Sequence, residues 1–491
     1  MPKSVDFSGR PFHFIGIGGI GMSAIAHILT ERQLPVFGSD LKQSHITERL
    51  EARGAHIFWQ QDAMNFDRWR SQPTAFSTSP ATAALDTPSS ILPQVVCSTA
   101  INESNSEYCA ARELGCEIFH RSDVLAALIA EHDSIAVAGT HGKTTTSSAL
   151  GYTLVQAGLD PTIVIGGEVN AWGGNARAGR SVHLVAEADE SDGSLVKFRA
   201  KIGIITNIEL DHPDRYTGLA ETIEVFKSFE RHTERIVASI DCPTIQAHFQ
   251  PDISYSLDRS SGADYSADEI QYGATGTTAR IWERDTCLGT LKLKLLGAHN
   301  LSNALAVIAV ARMLEVEFTT IASALAEFSG ARRRFELRGT IDDIQFIDDY
   351  AHHPSEIEAT LKAARLRASA TTPARRVVAV FQPHRYSRTQ AFFKEFAASL
   401  ASADVILLSD IYSAGETPIA GISGQDLAEE VMRQTRRTED IYYRATLPEI
   451  TELLSQTLKT GDFVLFLGAG NLNQIIPDTI EVYRNQQVSP R

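Results

Sequence analysis

A chain of 491 residues is too long for one hydrophobic core, so we expect two to four domains. Hydrophobic residues at 43% and charged residues at 21% are typical of a compact globular protein and exclude a disordered chain. The formal net charge of −15 excludes a general binder of nucleic acid, because such binding depends on lysine and arginine neutralising phosphates.

The cysteines and the apolar segments predict a cytoplasmic protein. The five cysteines form no CxxC pair, and an odd number in a long chain indicates reduced thiols in a reducing compartment. The apolar stretch 12–29 has the length of a signal peptide, but it contains a glycine turn and two histidines. We interpret it as a strand, a loop and a helix, and we expect no membrane insertion.

The N-terminal part alternates short apolar runs with helices, which is typical of a parallel α/β sheet. Residues 12–17 predict a strand, and Ile25, Ile28 and Leu29 follow at helical spacing. The other elements predicted here are strands at 34–38, 95–98 and 117–120 and a helix at 124–130.

The middle part repeats this alternation. A strand at 134–138 opens it, and a helix at 301–314 lies near its end. Between them the pattern predicts strands at 162–165, 183–186 and 202–206, and a small antiparallel region within 252–296.

The C-terminal part is a third α/β unit, which follows a basic connector at residues 332–334. Its predicted strands are 344–348, 376–381, 405–409 and 463–467. Each strand ends in polar or glycine residues, and open α/β sheets bind ligands beyond the carboxyl ends of their strands. We therefore expect ligand contacts at these ends.

The strongest chemical signal is a glycine-rich loop, residues 139–146, between an apolar strand and a helix. Glycines let the backbone approach phosphates, and N–H groups at the helix start point at them. Lys143 is expected to bridge the β- and γ-phosphates of ATP, and the Thr144 hydroxyl to bind magnesium. The loop departs from the general GxxxxGK[ST] pattern, because Gly139 lies two residues closer to Gly142. The alternative is a glycine-rich helix start with an incidental lysine.

Two acidic clusters, residues 187–192 and 207–212, each follow an apolar strand. Carboxylates grouped at a strand end are costly unless they are solvated or bind a cation. Alone, each cluster is more typical of a solvated turn. Together with the phosphate loop, the two clusters predict one magnesium–phosphate site.

The N-terminal segment 16–21 fits GxGxxG between a strand and a helix, and Asp40 follows after the next strand. This arrangement predicts a pyrophosphate at a helix N-terminus, near a carboxylate that accepts ribose hydroxyls. A UDP-sugar satisfies that requirement as well as a dinucleotide does.

Three further polar segments allow ordinary and functional interpretations. Residues 297–303 precede an alanine-rich helix, where His, Asn and Ser are ordinary helix caps. Residues 348–354 and 382–388 follow strands and place imidazole and guanidinium groups where a carboxylate or phosphate can bind. Paired histidines also suit zinc, but no third ligand follows at the usual spacing, so zinc is the minor alternative.

The order of these motifs resembles the Mur ligases of peptidoglycan precursor synthesis. The similar segments span nearly the whole chain and are GIGGIGMS, GTHGKTTT, EADESD, TNIELDH, HNLSN, RRRFE, DDYAHHPSE, QPHRYSRT, SDIYSAGETP and LGAG. The resemblance implies an α/β protein with three domains. These are a Rossmann-like UDP-sugar-binding domain at 1–131, a P-loop-like central ATP-binding domain with a mainly parallel sheet at 132–331, and a Rossmann-like C-terminal domain at 332–491.

The resemblance also implies roles for individual residues. The residues expected to act in catalysis are Lys143, His212, His352, Arg385 and Arg388. The residues expected to bind ATP are Gly139, Thr140, His141, Gly142, Lys143, Thr144, Thr145, His299, Asn303 and Arg334, the last being one of an interdomain pair with Arg333. The residues expected to bind the UDP-linked substrate are Gly18, Gly19, Gly21, Met22, Asp40 and Ser98. The residues expected to bind Mg²⁺ are Thr144, Glu187 and His212.

The reaction implied is the ATP-dependent ligation of L-alanine to the lactyl carboxylate of UDP-N-acetylmuramate through an acyl phosphate. The expected products are UDP-N-acetylmuramoyl-L-alanine, ADP and phosphate. The alternative within the family is a recycling ligase that attaches the preformed peptide L-alanyl-γ-D-glutamyl-meso-diaminopimelate.

Two further alternatives lie outside ligase chemistry. An NAD-binding oxidoreductase would leave the ATP loop and the acidic clusters unexplained. A nucleotide-binding protein without turnover is disfavoured by the intact Lys143, Thr144, Glu187 and His212. We expect a monomer or a weak homodimer whose partners are small-molecule substrates and not nucleic acid.

Overall fold

A computed structural model of the protein describes residues 4–70 and 91–488. The chain forms two compact units. The first contains the described residues of Met1–Ala138, together with Leu150–Ile204 and Val225–Ile236. The second contains Gly139–Ala149, Ile205–Glu224 and the described residues of Val237–Arg491.

The N-terminal part of the first unit is a parallel sheet flanked by helices. Its elements are β1 Phe12–Ile15, α1 Ile20–Glu31, β2 Val36–Ser39, α2 His45–Glu51, β3 His56–Phe58, a 3-10 helix Ala63–Phe66, α3 Asp67–Arg70, β4 Gln94–Cys97, α4 Ser106–Glu113, β5 Glu117–His120 and α5 Arg121–Ala130. The strand order is β3-β2-β1-β4-β5, and all four pairings are parallel.

Strand β1 is the centre of this sheet. All four of its residues are buried, and it pairs with β2 on one side and with β4 on the other. The strand order reverses beside β1, which is where open sheets bind ligands beyond their carboxyl ends. The glycine loop that follows β1 and the chain that follows β4 therefore share this crevice.

The middle part of the chain contributes to both units. Its elements are β6 Asp133–Ala138, α6 Lys143–Gln156, β7 Thr162–Val169, β8 Gly174–Arg177, β9 His183–Glu187, a 3-10 helix Ser194–Lys197, β10 Ile202–Ile205, α7 Leu219–His232, β11 Arg235–Ser239, α8 Pro243–His248, β12 Ile253–Ser256, a 3-10 helix Arg259–Ser261, β13 Tyr265–Gly273, β14 Gly276–Glu283, β15 Thr286–Leu293, α9 Ala298–Met313 and α10 Phe318–Glu327. In the first unit the strand order is β10-β6-β9-β7-β8, and in the second it is β15-β14-β13-β12-β11.

The C-terminal part, within the second unit, is again an open sheet. Its elements are β16 Glu336–Ile341, β17 Ile344–Asp349, α11 Pro354–Ala368, β18 Val377–Phe381, α12 Tyr386–Ala391, α13 Phe393–Leu400, β19 Val405–Leu408, α14 Gly424–Thr435, β20 Ile441–Tyr443, α15 Leu447–Thr457, β21 Phe463–Leu467, a 3-10 helix Leu472–Gln474 and α16 Ile475–Val488. The order is β16-β17-β21-β18-β19-β20, and β16 alone of these described strands is antiparallel to its neighbour.

The predicted α/β class with mainly parallel sheets is confirmed. The predicted antiparallel region within 252–296 is confirmed for β13, β14 and β15, whereas β12 pairs in parallel with β11 and β13. The predictions missed β3, β8, β11, β16 and β20. Four of these lie at sheet edges or are only three or four residues long, so they carry little of the apolar pattern from which strands are predicted.

Across 4–70 and 91–488, no helix combines the length and the apolar character that crossing a bilayer requires.

Strand β21 lies inside the C-terminal sheet, and its burial predicts how much one of its side chains contributes to stability. Leu465 is fully buried in β21, which lies between β17 and β18, whereas Leu337 on β16 is 48% exposed. We expect Leu465→Ala to lower the opening free energy of this sheet by about 2–5 kcal/mol, because it leaves a cavity. Leu337→Ala should change it by about 0.5 kcal/mol or less. Native-state hydrogen exchange of β17 and β18 amides measures both; equal effects would contradict the assigned core.

Candidate active site

The nucleotide loop predicted from the sequence lies in the second unit and has the backbone that its glycines allow. Gly139 has φ +140° and Gly142 has φ +81°, a region that L side chains rarely adopt. A Cβ at Gly139 would clash with Thr206 Oγ1, and a Cβ at Gly142 would lie 2.6 Å from Asn303 Oδ1. Glycine is therefore required at both positions by close neighbours as well as by backbone conformation.

The loop is hydrogen-bonded along its length to the segment that follows β10. The N–H of Thr140 donates to the Asn207 carbonyl, and the N–H of His141 donates to Asn207 Oδ1, both at 2.9 Å. In return, the N–H of Glu209 donates to Thr140 Oγ1 at 2.9 Å. These paired contacts fix the loop against residues 206–209.

Lys143 begins helix α6, and its ammonium group folds back over the loop. Nζ donates to the carbonyls of Gly139 at 2.7 Å and Thr140 at 3.1 Å. Thr144 and Thr145, which follow it in the first turn, are 5% and 9% exposed. A positive charge at the loop and a helix N-terminus together favour an anionic ligand such as a phosphate.

The segment 297–303 corrects one interpretation of the sequence. His299, Asn300, Ser302 and Asn303 lie inside α9, whose N-cap is Gly297 without a side-chain cap. The expectation that these side chains act as helix caps was wrong, because Gly297 with φ +87° already begins the helix. Asn303 is 7% exposed and borders Gly142 of the nucleotide loop.

His299 is a neutral imidazole. The protein atoms around the ring lower its pKa to about 4, against the opposing effect of Glu356, although the residue is exposed at the surface. An exposed, neutral imidazole is suited to contact an uncharged heterocycle.

A buried ion pair joins the segment after β10 to helix α12. Arg388, 1% exposed, donates through Nε to Asp211 Oδ1 at 2.7 Å. Burial alone would raise the pKa of Asp211, but Arg388 and nearby histidines, His212 first among them, hold it well below its usual range. The carboxylate is therefore ionised at neutral pH.

His212 has a left-handed backbone, with φ +57°. Such a conformation costs on the order of 1–3 kcal/mol for a residue other than glycine and persists only where neighbours enforce it. Its N–H donates to Asp211 Oδ1 at 2.7 Å, and Arg388 Nη2 lies 3.4 Å from its Nδ1. The buried pair thus also orients the His212 ring.

Arg385 is the third predicted cation of this region. It lies 3.2 Å from Asp214 and 3.1 Å from Glu416, and its backbone is left-handed at φ +71°. Glu416 also accepts hydrogen bonds from the N–H and hydroxyl of Ser387. Arg385 and Arg388, at the start of α12, are therefore both held by carboxylates from other segments.

Arg334 and Arg333 lie beside the end of β17. Their guanidinium groups stand over the Tyr350 ring, with centroid distances of 5.2 Å and 4.8 Å respectively. Arg333 Nη2 also donates to the Gly468 carbonyl at 2.7 Å, which ties this connector to the end of β21.

Glu209, from the predicted acidic cluster 207–212, and Glu356, to which no role was assigned from the sequence, lie on opposite edges of the His141 ring in the nucleotide loop. Glu209 Oε2 lies 3.4 Å from His141 Nε2, and Glu356 Oε1 lies 3.3 Å from Nδ1. Burial would lower the pKa of His141, but these two carboxylates raise it to about 10. His352 precedes the N-cap of α11 and Glu356 lies in its first turn, so the four-residue spacing is not a helical one. Glu356 ends the segment DDYAHHPSE, which was the available sequence signal.

His353 is an N-cap, and its low pKa suits that role. Burial, with the neighbouring His141, lowers its pKa to about 4. The neutral ring accepts the Ser355 N–H at Nδ1, 3.3 Å away, and donates from Nε2 to the Leu210 carbonyl at 3.2 Å.

One group in the described part of the chain has the spacing of a three-ligand metal site: His141, Glu209 and His353, with ligand atoms within 4.8 Å of one another. Both nitrogens of His353 already have hydrogen-bond partners, and His141 lies between two carboxylates. Ion pairing accounts for this group, so zinc remains the minor alternative that the sequence indicated.

The residues predicted to bind the UDP-linked substrate lie in the first unit. The N–H of Gly18 donates to Asp40 Oδ2 at 2.8 Å, so Asp40 organises the glycine loop itself. Met22 is 2% exposed in α1, and Ser98 follows β4 at the reversal of strand order. Arg121 was missed: its Nη1 would lie 3.2 Å from a Cβ at Gly21, and its Nη2 lies 3.0 Å from Asp192.

Glu187 also lies in the first unit, at the end of β9. Its Oε2 accepts the N–H of Gly166 at 2.8 Å. In the acidic cluster that follows, Asp189 and Asp192 pair with Arg121 at 3.8 Å and 3.0 Å. That cluster is therefore partly neutralised by protein, which the sequence pattern did not indicate.

The predicted residues fall into two sets. Those that the structure groups in the second unit are Gly139, Thr140, His141, Gly142, Lys143, Thr144, Thr145, His212, His299, Asn303, Arg334, His352, Arg385 and Arg388. Those in the first unit are Gly18, Gly19, Gly21, Met22, Asp40, Ser98 and Glu187.

Comparison with known proteins identifies the family of the chain. Three family models match the chain: the Mur ligase family catalytic domain at 11–133, the Mur ligase middle domain at 137–311, and the Mur ligase glutamate ligase domain at 333–470. A UDP-N-acetylmuramate–L-alanine ligase of Nostoc punctiforme is 61% identical over 483 residues, which is 98% of each chain. One from a Nostoc species is 57% identical over 489 residues, again 98% of each chain.

Solved structures give the same result. The UDP-N-acetylmuramate-alanine ligase of Thermotoga maritima is 27% identical, with a TM-score of 0.77 and coverage of 98% of this chain and 100% of that one. A murein peptide ligase of Psychrobacter arcticus shares the fold, with 24% identity, a TM-score of 0.68 and coverage of 97% and 99%. The chain belongs to the Mur ligase family.

Proposed function

We propose that this protein ligates L-alanine to the lactyl carboxylate of UDP-N-acetylmuramate at the expense of ATP, in peptidoglycan synthesis. The products are UDP-N-acetylmuramoyl-L-alanine, ADP and phosphate. The observation that carries the proposal is 61% identity, over 98% of both chains, to a UDP-N-acetylmuramate–L-alanine ligase. The glycine-rich loop with Lys143 and the buried cations of the second unit supply chemistry that suits the reaction.

The reaction needs ATP because a carboxylate is a poor acyl donor. Hydroxide leaves badly, so the carboxylate is first converted to an acyl phosphate. In-line phosphoryl transfer depends on positioning and on neutralising charge, since the transferred group is strongly anionic. The helix N-terminus of α6 and the Lys143 ammonium supply both at the loop. The uncharged amine of L-alanine then attacks the acyl carbon, and phosphate leaves.

Thr144, Glu187 and His212 are the residues that we assign to magnesium. A hydroxyl and a carboxylate are oxygen donors of the kind that this hard cation prefers. Bound magnesium would neutralise negative charge on the transferred phosphoryl group. Arg388 and Asp211 orient the His212 ring, and the Gly166 N–H orients the Glu187 carboxylate.

We assign Arg385, Arg388 and His352 to the anionic groups of the substrates. Guanidinium groups bind carboxylates and phosphates through paired hydrogen bonds. Arg388 uses Nε on Asp211 and directs its terminal nitrogens towards His384 and His212. The three residues would face the muramoyl carboxylate, the amino acid or the γ-phosphate.

Further residues are assigned to the adenosine part of ATP and to the UDP-linked substrate. His299, Asn303 and Arg334 would contact the adenosine part of ATP, because His299 is neutral and accessible and Asn303 borders the glycine-rich loop at 139–146. The UDP-linked substrate would lie on the glycine loop after β1, with contacts from Gly18, Gly19, Gly21, Met22, Asp40 and Ser98.

We further propose a cytoplasmic protein, monomeric or weakly dimeric, that acts on small molecules. Its domain boundaries would follow 1–131, 132–331 and 332–491.

Substrate choice tests the proposed reaction. Purified protein with magnesium, ATP and UDP-N-acetylmuramate should release ADP when L-alanine is added. L-alanyl-γ-D-glutamyl-meso-diaminopimelate should give no release above a control without acceptor. Coupled detection of ADP measures both. Release with the peptide alone would identify the recycling ligase, and release with neither acceptor would overturn ligase activity.

Replacing Lys143 tests whether the glycine-rich loop at 139–146 serves the reaction of ATP. Lys143→Ala should lower kcat by at least about 10²-fold, since losing one preorganised group that stabilises transition-state charge typically costs about 10²- to 10³-fold. Circular dichroism should be unchanged. Lys362→Ala is the control, because that side chain is 73% exposed and pairs with Glu358. Wild-type turnover in the Lys143 variant would remove the loop from the mechanism.

A further inference from the structure

Glu356 lies in the first turn of α11, and each of its carboxylate oxygens serves a different part of the second unit. Oε1 lies 3.3 Å from His141 Nδ1 in the nucleotide loop and 3.9 Å from Arg334 Nη1. Oε2 accepts the His352 N–H at 3.0 Å and lies 3.1 Å from His352 Nδ1. One side chain therefore contacts three residues that we assign to ATP binding or catalysis.

The carboxylate is ionised despite its burial. Its side chain is 13% exposed, and that of His141 is 14% exposed. Burial would raise the pKa of Glu356, but His352 and His141 lower it well below the usual value. The contact between Glu356 and His141 is therefore an ion pair, with Glu209 on the opposite edge of the same ring.

An ion pair of this kind is a poor source of stability. Removing two charges from water costs several kcal/mol per ion, and well-packed apolar replacements are often as stable or more so. What a buried pair does supply is geometry, because each charge is satisfied only when its partner lies at the correct distance and angle. This pair fixes the distance between the nucleotide loop and the start of α11.

We propose that Glu356 is a positioning residue. Through its contacts with His141 and His352, it holds the nucleotide loop and the segment before α11 in one arrangement for phosphoryl transfer. Glu356 touches neither ATP nor the muramoyl carboxylate in this scheme and acts through the two histidines. The inference rests on the proposed function, since it assigns Glu356 to that reaction.

Glu356→Gln tests the proposal, because glutamine keeps the size of the side chain and removes its charge. Glu358→Gln is the matched control: Glu358 lies on the same helix, and its side chain is 56% exposed and paired with Lys362. We expect kcat to fall about 10- to 100-fold in Glu356→Gln, the range typical when an orienting partner is lost. The KM for ATP should change far less, and Glu358→Gln should match the wild type.

A double-mutant cycle separates positioning from general damage. If Glu356 acts through His141, Glu356→Gln combined with His141→Gln should be little slower than the slower single variant. If the double variant instead lost kcat by the product of the two single-variant factors, the proposal would be contradicted. Should Glu356→Gln fail to fold, Glu356→Asp, which keeps the charge but shortens the reach, provides the same cycle.

The titration of His141 gives a readout that does not depend on turnover. The groups that face this imidazole are Glu209 after β10 and Glu356 and His353 at the start of α11. With its pKa raised to about 10, His141 keeps its proton through neutral pH and loses it as pH rises through that value. Glu356→Gln should lower this pKa and move the alkaline fall in kcat to lower pH.

Ring resonances of labelled histidine, followed by NMR against pH, measure that shift directly. An unchanged His141 titration with unchanged kcat in Glu356→Gln would overturn the positioning role. A wild-type protein that releases no ADP with L-alanine would instead overturn the proposed function, and the two failures are thereby distinguished.

Discussion

The ion pair between Arg388 and Asp211 is the constraint on which the second unit depends. Both side chains are almost completely buried, at 1% and 5% exposure. An unpaired charge in that environment would be strongly destabilising, by about 3–5 kcal/mol when one partner is lost. Helix α12 and the segment after β10 can therefore be folded in this form only together. The same pair orients His212, so stability and the proposed chemistry share one interaction.

Much of the fold and of the candidate site could be predicted from the sequence. The parts that could not be predicted depend on contacts between residues that are distant in the sequence. Strands 117–120 and 463–467 were predicted with their observed bounds, because each is a short apolar run between polar residues. The glycine-rich loop at residues 139–146 was predicted because glycine, lysine and threonine between a strand and a helix are typical of phosphate binding. Arg388 and Asp211, however, are separated by 177 residues, and nothing in either local pattern indicates the other.

The same limit applies to Glu209 and Glu356. Glu209 lies within the segment 206–212 and Glu356 ends the segment 348–356, and neither local pattern indicates that the residue contacts His141. Their charges matter because the fold brings them to opposite edges of the His141 ring. The predicted capping at 297–303 was wrong for a local reason, since Gly297, with a positive φ, begins the helix without any side-chain oxygen.

Backbone conformation connects these observations. His212, Arg333 and Arg385 all have positive φ values, at +57°, +58° and +71°. Such residues are uncommon, and their cost of about 1–3 kcal/mol each must be offset by the contacts around them. His212 is held by Asp211, Arg333 by Glu336 and Gly468, and Arg385 by the carbonyl of Tyr412. Asp211 thus both neutralises the buried Arg388 and holds the left-handed backbone of His212, whereas the backbones of Arg333 and Arg385 are held by groups other than their ion-pair partners.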